Sequence, residues 1–209
     1  MCPNKAPINK PPQRLFNILK IISNAFNENQ IPYSLMGAMV LGYYGVPRST
    51  CDIDFLAKHD DHSRIFNLMT QMGYHCYHQT EVFANFDSEM SLLGNIDVMF
   101  VKTLEGINMI EKSHHVDDEI YGDTYIVQPT DYIVLKLMAI ANNPSRKLSD
   151  SADIIAFIKL AQQKQFPENL QAINFEKIYR FADQFGQHTT FESLLKQANI
   201  DPKPNGFSL

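Results

Sequence analysis

The spacing of apolar positions changes character once along this chain, near Pro129. Before it, helical and strand periods alternate; after it, only the helical period recurs. In PQRLFNILKIISNAFNENQ, apolar residues fall at Leu15, Ile18, Leu19, Ile22 and Phe26, which predicts a helix that Pro32 cannot continue. YSLMG predicts a short strand, and AMVLGYYG a short helix ended by Gly45 and Pro47. CDIDFLA is a strand by its bulky and β-branched content, and DDHSRIFNLMTQMGY an amphipathic helix with Asp60 or Asp61 as its cap. HCYHQ, VFANF and NIDVMFV predict three more strands, LEGINMIEKS a short helix, and EIYGDTYIVQ a hairpin about Gly122 and Asp123.

Beyond Pro129, TDYIVLKLMAIANN, SDSADIIAFIKLAQQK, NFEKIYRFADQFG and TTFESLLKQAN all carry the helical period, with caps expected at Thr130, Ser149, Asn174 and Thr189 or Thr190. The pattern predicts an α/β (α+β) protein: a small mixed-sheet domain over residues 13–128, then a helical bundle over residues 129–200. Residues 1–12 read as a flexible arm and the segment from Asp201 as a loose tail.

Two aspartates interrupt the apolar run of CDIDFLA. Strand residues two apart share a face, so Asp52 and Asp54 project together while Ile53 and Phe55 point to the core. Two like charges so close are costly without a counter-ion, and a divalent metal with oxygen ligands is a natural one. Asp97, between Ile96 and Val98, is a third acid of the same style. If its strand lies beside that of Asp52 and Asp54, three carboxylates converge, the usual protein share of a two-magnesium site. The competing reading of the Asp-x-Asp pair is a solvated strand end. Gly37, where a strand passes into a helix, would let a phosphate approach backbone N–H groups; the competing reading is a turn glycine.

Composition narrows the partners. Of the 209 residues, 44% are hydrophobic and 20% charged, as in globular domains rather than disordered chains. The formal net charge is −5, so a polyanionic partner would need a local basic patch. Arg146, Lys147, Lys159 and Lys164 are the residues that could form one, or else are solvated helix faces. Cys2, Cys51 and Cys76 form no CxxC pair, which argues for a reducing compartment and against a disulfide framework. The N-terminus lacks an apolar signal core and no apolar run reaches membrane-spanning length, so a cytoplasmic location and no membrane partner are expected. His75 with His78, and His114–His115 with Asp117–Asp118, lack a convincing metal-ligand set and read as exposed histidines.

Taken together, Met36-Gly37-Ala38 followed by Asp52-Ile53-Asp54 resembles the signature of the nucleotidyltransferase superfamily of the DNA polymerase β type. Within it, GAMVLGYYGVPRSTCDIDFL looks most like the minimal bacterial branch that includes abortive-infection toxins, with Arg48, Thr50, Asp52 and Asp54 at matching positions. Lys136, Lys147, Asp150 and Asp153 resemble that branch's second block. The likeness spans roughly residues 30–160 and departs at Ala38, where the family prefers Ser or Gly.

The resemblance implies transfer of a nucleoside monophosphate from an NTP to an acceptor hydroxyl of tRNA, protein or a small molecule, with release of pyrophosphate. Asp52, Asp54 and Asp97 would be the catalytic and metal-binding residues, holding two Mg²⁺ (or Mn²⁺). Gly37, Ala38, Arg48, Thr50 and Lys136 would contact the nucleotide. Arg48 would otherwise pair with a surface acid, and Lys136 would otherwise snorkel to solvent. Asp150 and Asp153 also suit an ordinary helix N-terminus. An antitoxin is the protein partner that the toxin-like branch implies. The alternative is a protein on the same fold that binds nucleotide or a partner without turnover, which Ala38 would favour.

Overall fold

Among the described residues seven short strands pair into one mixed sheet of order β3-β4-β5-β2-β1-β7-β6. The computed structural model describes residues 13–46, 48–88, 94–163, 165–167 and 170–201. The predicted arm, the tail beyond Asp201, Pro47 and Lys164 lie outside these described residues. In chain order the elements are α1 (Gln13–Glu28), β1 (Tyr33–Met36), α2 (Gly37–Tyr43), β2 (Asp52–Lys58), α3 (His62–Gln71), β3 (Tyr74–Gln79), β4 (Phe83–Ser88), β5 (Asn95–Val101), α4 (Leu104–Glu111), β6 (His114–Asp118), β7 (Gly122–Ile126), α5 (Pro129–Asn142), α6 (Lys147–Gln162), α7 (Phe175–Gln184) and α8 (His188–Gln197). Among the described residues no helix is long and apolar enough to cross a membrane. Cys76 is a free thiol.

The chain divides into two compact units. The first runs to Gly42 and, after a short excursion, continues to Val127; the second takes Tyr43–Val46 and everything from Gln128 onward. In the first unit, β2 runs parallel to β5 and antiparallel to β1, which in turn lies parallel to β7. β4 pairs antiparallel with both β5 and β3. The two faces of this sheet differ. Ile53, Phe55, Phe86, Ile96 and Val98 are fully buried on one face, where α1 places Phe26 5.3 Å from Phe55 and α3 places Phe66 5.0 Å from Phe86. On the opposite face, α4 covers only one end: Gly106 lies so close to Val101 that a Cβ there would come within 2.6 Å, and Ser113 Oγ donates to Ser34 Oγ at 2.8 Å. The other end of that face carries polar side chains.

Most predicted elements are present, with displaced boundaries. The hairpin expected about Gly122 and Asp123 turns earlier, because Asp118 pairs with Gly122 and its Oδ1 accepts the Ile120 and Tyr121 amides at 2.8 and 2.6 Å. Thr130 is not a cap: α5 starts at Pro129, and the Thr130 hydroxyl accepts the Asn174 amide at 2.9 Å. Asn174 is the cap expected, accepting the Lys177 amide at 2.9 Å. α6 begins two residues before Ser149, and Thr189 and Thr190 lie inside α8. Asp61 precedes α3 without a side-chain cap bond and pairs with Arg64 instead.

The second unit is helical, with Tyr44 fully buried against Phe157 (4.8 Å between ring centres) and Tyr132 (6.3 Å). It also buries a charge cluster. Lys136 Nζ, on the apolar helix α5, donates to Asp150 Oδ1 and Asp153 Oδ2, each at 2.7 Å. Arg146 Nε donates to the second Asp150 oxygen at 2.9 Å, and the Lys136 ammonium lies 5.6 Å from the Tyr132 ring centre. Asp150 is wholly buried. Burial pushes its carboxyl pKa up, but hydrogen bonds from Arg146 and Lys136 and their charges outweigh burial and hold it below the usual value.

Two outcomes are expected from this cluster. Lys136→Ala leaves two buried carboxylates without their shared cation and lowers unfolding free energy by about 3–5 kcal/mol, measured by urea denaturation. A carboxyl depressed in the folded state stabilises above its unfolded pKa of about 3.9 and loses that contribution as pH falls through the folded value. The wild type should therefore lose more stability between about pH 5 and 2 than Asp150→Asn does; equal losses would remove Asp150 from the account.

Candidate active site

The open end of the first unit's polar face is built by register. Parallel pairing of β2 with β5 sets Asp54 directly opposite Asp97, with Asp52 opposite Asn95. Paired strand residues share a face and neighbouring strands lie about 4.8 Å apart, so Asp52, Asp54 and Asp97 stand side by side on one surface. All three are half-buried. The third acid expected from sequence is therefore beside the first two.

Each carboxylate is held by its own surroundings. Asp52 Oδ1 accepts the Thr50 hydroxyl at 2.8 Å and the Cys51 amide at 3.1 Å. Thr50 thus orients Asp52. Asp97 Oδ1 accepts Asn85 Nδ2 at 2.7 Å across the β4–β5 pair. Asp54 lies against Gly37: a Cβ on that glycine would fall 2.0 Å from Asp54 Oδ2. Gly37 also has φ +72°, the left-handed region that disfavours side chains. Its absent side chain serves the seat of Asp54, besides any approach of a phosphate. Among the described residues no three ligand side chains are gathered about one point. The donor chemistry nonetheless fits a hard divalent cation such as magnesium, since all three groups are carboxylates on one face.

The remaining predicted residues fall in different places. Ala38 is buried in the first turn of α2. Arg48 is half-buried four residues ahead of Asp52. Lys136 belongs to the helical unit, held between Asp150 and Asp153. His115 pairs with Asp123 at 2.8 Å within its hairpin.

Three polar residues on this face escape a reading of motifs. Asn85 reaches Asp97 on one side, and its Oδ1 accepts His78 Nδ1–H at 2.8 Å on the other. Asp87 is two residues further along β4, on the same face, paired with His75. Tyr77 sits in a bulge: β3 pairs Cys76 with Phe86 and then His78 with Asn85, so Tyr77 and His78 together oppose Asn85. The Tyr77 side is 56% exposed. Burial of its phenol and the neighbouring Asp97, Asp87 and Asp52 charges raise its pKa above the ordinary value. Period-two alternation in VFANFDS was the available signal for Asn85 and Asp87; the bulge had none.

The fold is that of nucleotidyltransferases. The solution structure of the antibiotic-resistance factor ANT(2'')-Ia matches with a TM-score of 0.56 and 12% identity, over 88% of this chain and 96% of that one. The crystal structure of ANT(2'')-Ia with adenylyl-2''-tobramycin gives 0.56 and 10%, over 85% and 99%. An antigenic nucleotidyltransferase-like protein from Paracoccidioides brasiliensis gives 0.53 and 13%, over 92% and 96%. No protein-family model matches the chain, and no curated protein does.

Gly37→Ala should lower stability by about 1–3 kcal/mol, through a left-handed alanine and a clash with Asp54. Adding Asp54→Gly should recover part of that loss in a double-mutant cycle of urea unfolding, because only the clash depends on the carboxylate. Strictly additive losses would show that Asp54 is not seated against Gly37.

Proposed function

We propose that this chain is a nucleotidyltransferase that moves a nucleoside monophosphate from an NTP to an acceptor hydroxyl and releases pyrophosphate. The observation that carries the reading is the parallel register that sets Asp54 beside Asp97, with Asp52 on the same open face. Likeness of fold to ANT(2'')-Ia supports it.

In this reading Asp52, Asp54 and Asp97 hold two magnesium or manganese ions, which when bound neutralise phosphate charge and ready the attacking oxygen. Thr50 keeps Asp52 turned for its task. Asn85 fixes the plane of Asp97, the residue that takes the acceptor's proton. Gly37 and the backbone of Ala38 lie where the β- and γ-phosphates bind. Arg48 and Lys136 are the two cations expected at the phosphates. The acceptor is tRNA, a protein or a small molecule, and an antitoxin is the protein partner that the toxin-like resemblance adds.

The second reading is a binding protein without turnover. Ala38, buried and lacking a hydroxyl, favours it. Incubation with α-labelled NTPs, Mg²⁺ and candidate acceptors separates the two. Transfer should fall about 10²–10⁴-fold in Asp97→Asn and as far in Asp54→Asn, and stop with EDTA. NTP binding without transfer to any acceptor supports the binding protein; undiminished transfer by Asp54→Asn refutes the proposed site.

A further inference from the structure

Strand order gives the site a direction. Gly37 stands at the end of β1, Asp52 and Asp54 on β2, Asp97 on β5, Asn85 and Asp87 on β4, and His75, Tyr77 and His78 on β3. In the reaction proposed above, the attacking oxygen and the departing pyrophosphate lie on opposite sides of the α-phosphorus. The β- and γ-phosphates are assigned to the Gly37 end. The acceptor must then come from the opposite end, over β4 and β3.

That end has its own surface. The bulge turns both Tyr77 and His78 to the face of Asn85, next to Asp97. Tyr77 offers an exposed ring, and Asp87 adds a carboxylate on the same face, half-buried and paired with His75. Residues 74–88 include no Lys or Arg and two acids, Glu81 and Asp87. A phosphate backbone gains affinity by meeting Lys and Arg; the hairpin itself carries neither, Glu81 is paired with Lys102, and Asp87 adds negative charge beside the site.

We infer that the β3–β4 hairpin is the acceptor platform, and that it takes a small, uncharged or cationic hydroxyl compound with a ring for Tyr77 to stack on, rather than a nucleic acid. This rests on the nucleotidyltransferase reading and adds the acceptor class to it. The acceptor's O–P bond forms as the bond from the α-phosphorus to pyrophosphate breaks, and the hydroxyl proton passes to Asp97. Tyr77 and Asp87 are specificity residues: the ring stacks on the acceptor, and the carboxylate accepts from its hydroxyl or amino groups.

The test gives the full chain α-labelled NTPs and Mg²⁺ together with three fractions of one cell extract: the small-molecule ultrafiltrate, total RNA and protein. Label is expected in the ultrafiltrate, on a species that gains negative charge on anion exchange only through the added nucleotide. Tyr77→Ala should raise KM for that fraction about tenfold while leaving Mg²⁺-dependent NTP binding unchanged, and Tyr77→Phe, which keeps the ring, should restore KM. Asp87→Asn should raise KM similarly. Label entering RNA or protein overturns this inference and leaves the nucleotidyltransferase reading standing, as does an unchanged KM in both Tyr77→Ala and Asp87→Asn. Label entering no fraction overturns both.

Discussion

Parallel registration of β2 against β5 is the constraint on which the site depends. It pairs Asp54 with Asp97 and, in the same stroke, Ile53 with Ile96 and Phe55 with Val98. Those four apolar side chains are fully buried. A slip of one residue would turn Asp97 into the core and expose Ile96 and Val98, so apolar burial enforces the placement of the acids. The core therefore determines site geometry without touching it. Gly37 completes the arrangement from the neighbouring strand: β1 pairs Met36 with Asp54, and the next residue must lack a side chain for the carboxylate to fit.

The chain treats its two sets of acids in opposite ways. Asp150 and Asp153 are buried and share the Lys136 ammonium, with Arg146 on the second Asp150 oxygen. Their charge is matched by cations in place. Asp52 and Asp97 receive a hydroxyl, a backbone amide and a side-chain amide, which are neutral donors. Such donors orient a carboxylate without cancelling its charge.

Much of this was legible in the sequence, for a physical reason. Strand and helix periods are local, so the strand of Asp52 and Asp54, that of Asp97, and the helix of Lys136 could be placed before any pairing was known. Asp-x-Asp in an apolar strand announces itself because ionised groups rarely sit there without cause. Features that depend on residues far apart were hidden. The hairpin turned at Asp118 because its carboxylate captures two amides, which competes with the glycine signal at Gly122. Thr130 looked like a cap but bonds to Asn174, forty-four residues on. Asn85 and Tyr77 carry no motif; their importance appears only when β4 lies beside β5 and a bulge turns β3.

The excursion at Tyr43–Val46 has a consequence for any attempt to dissect the molecule. The chain leaves the first unit just after Gly42, seats the Tyr44 ring among Tyr132, Phe157 and Phe166, and then returns to form β2. Cutting between Val127 and Gln128 would sever the polypeptide at one crossing and leave the other stranded: the amino-terminal fragment would display an orphaned aromatic ring, and the carboxy-terminal fragment a hole shaped to receive it.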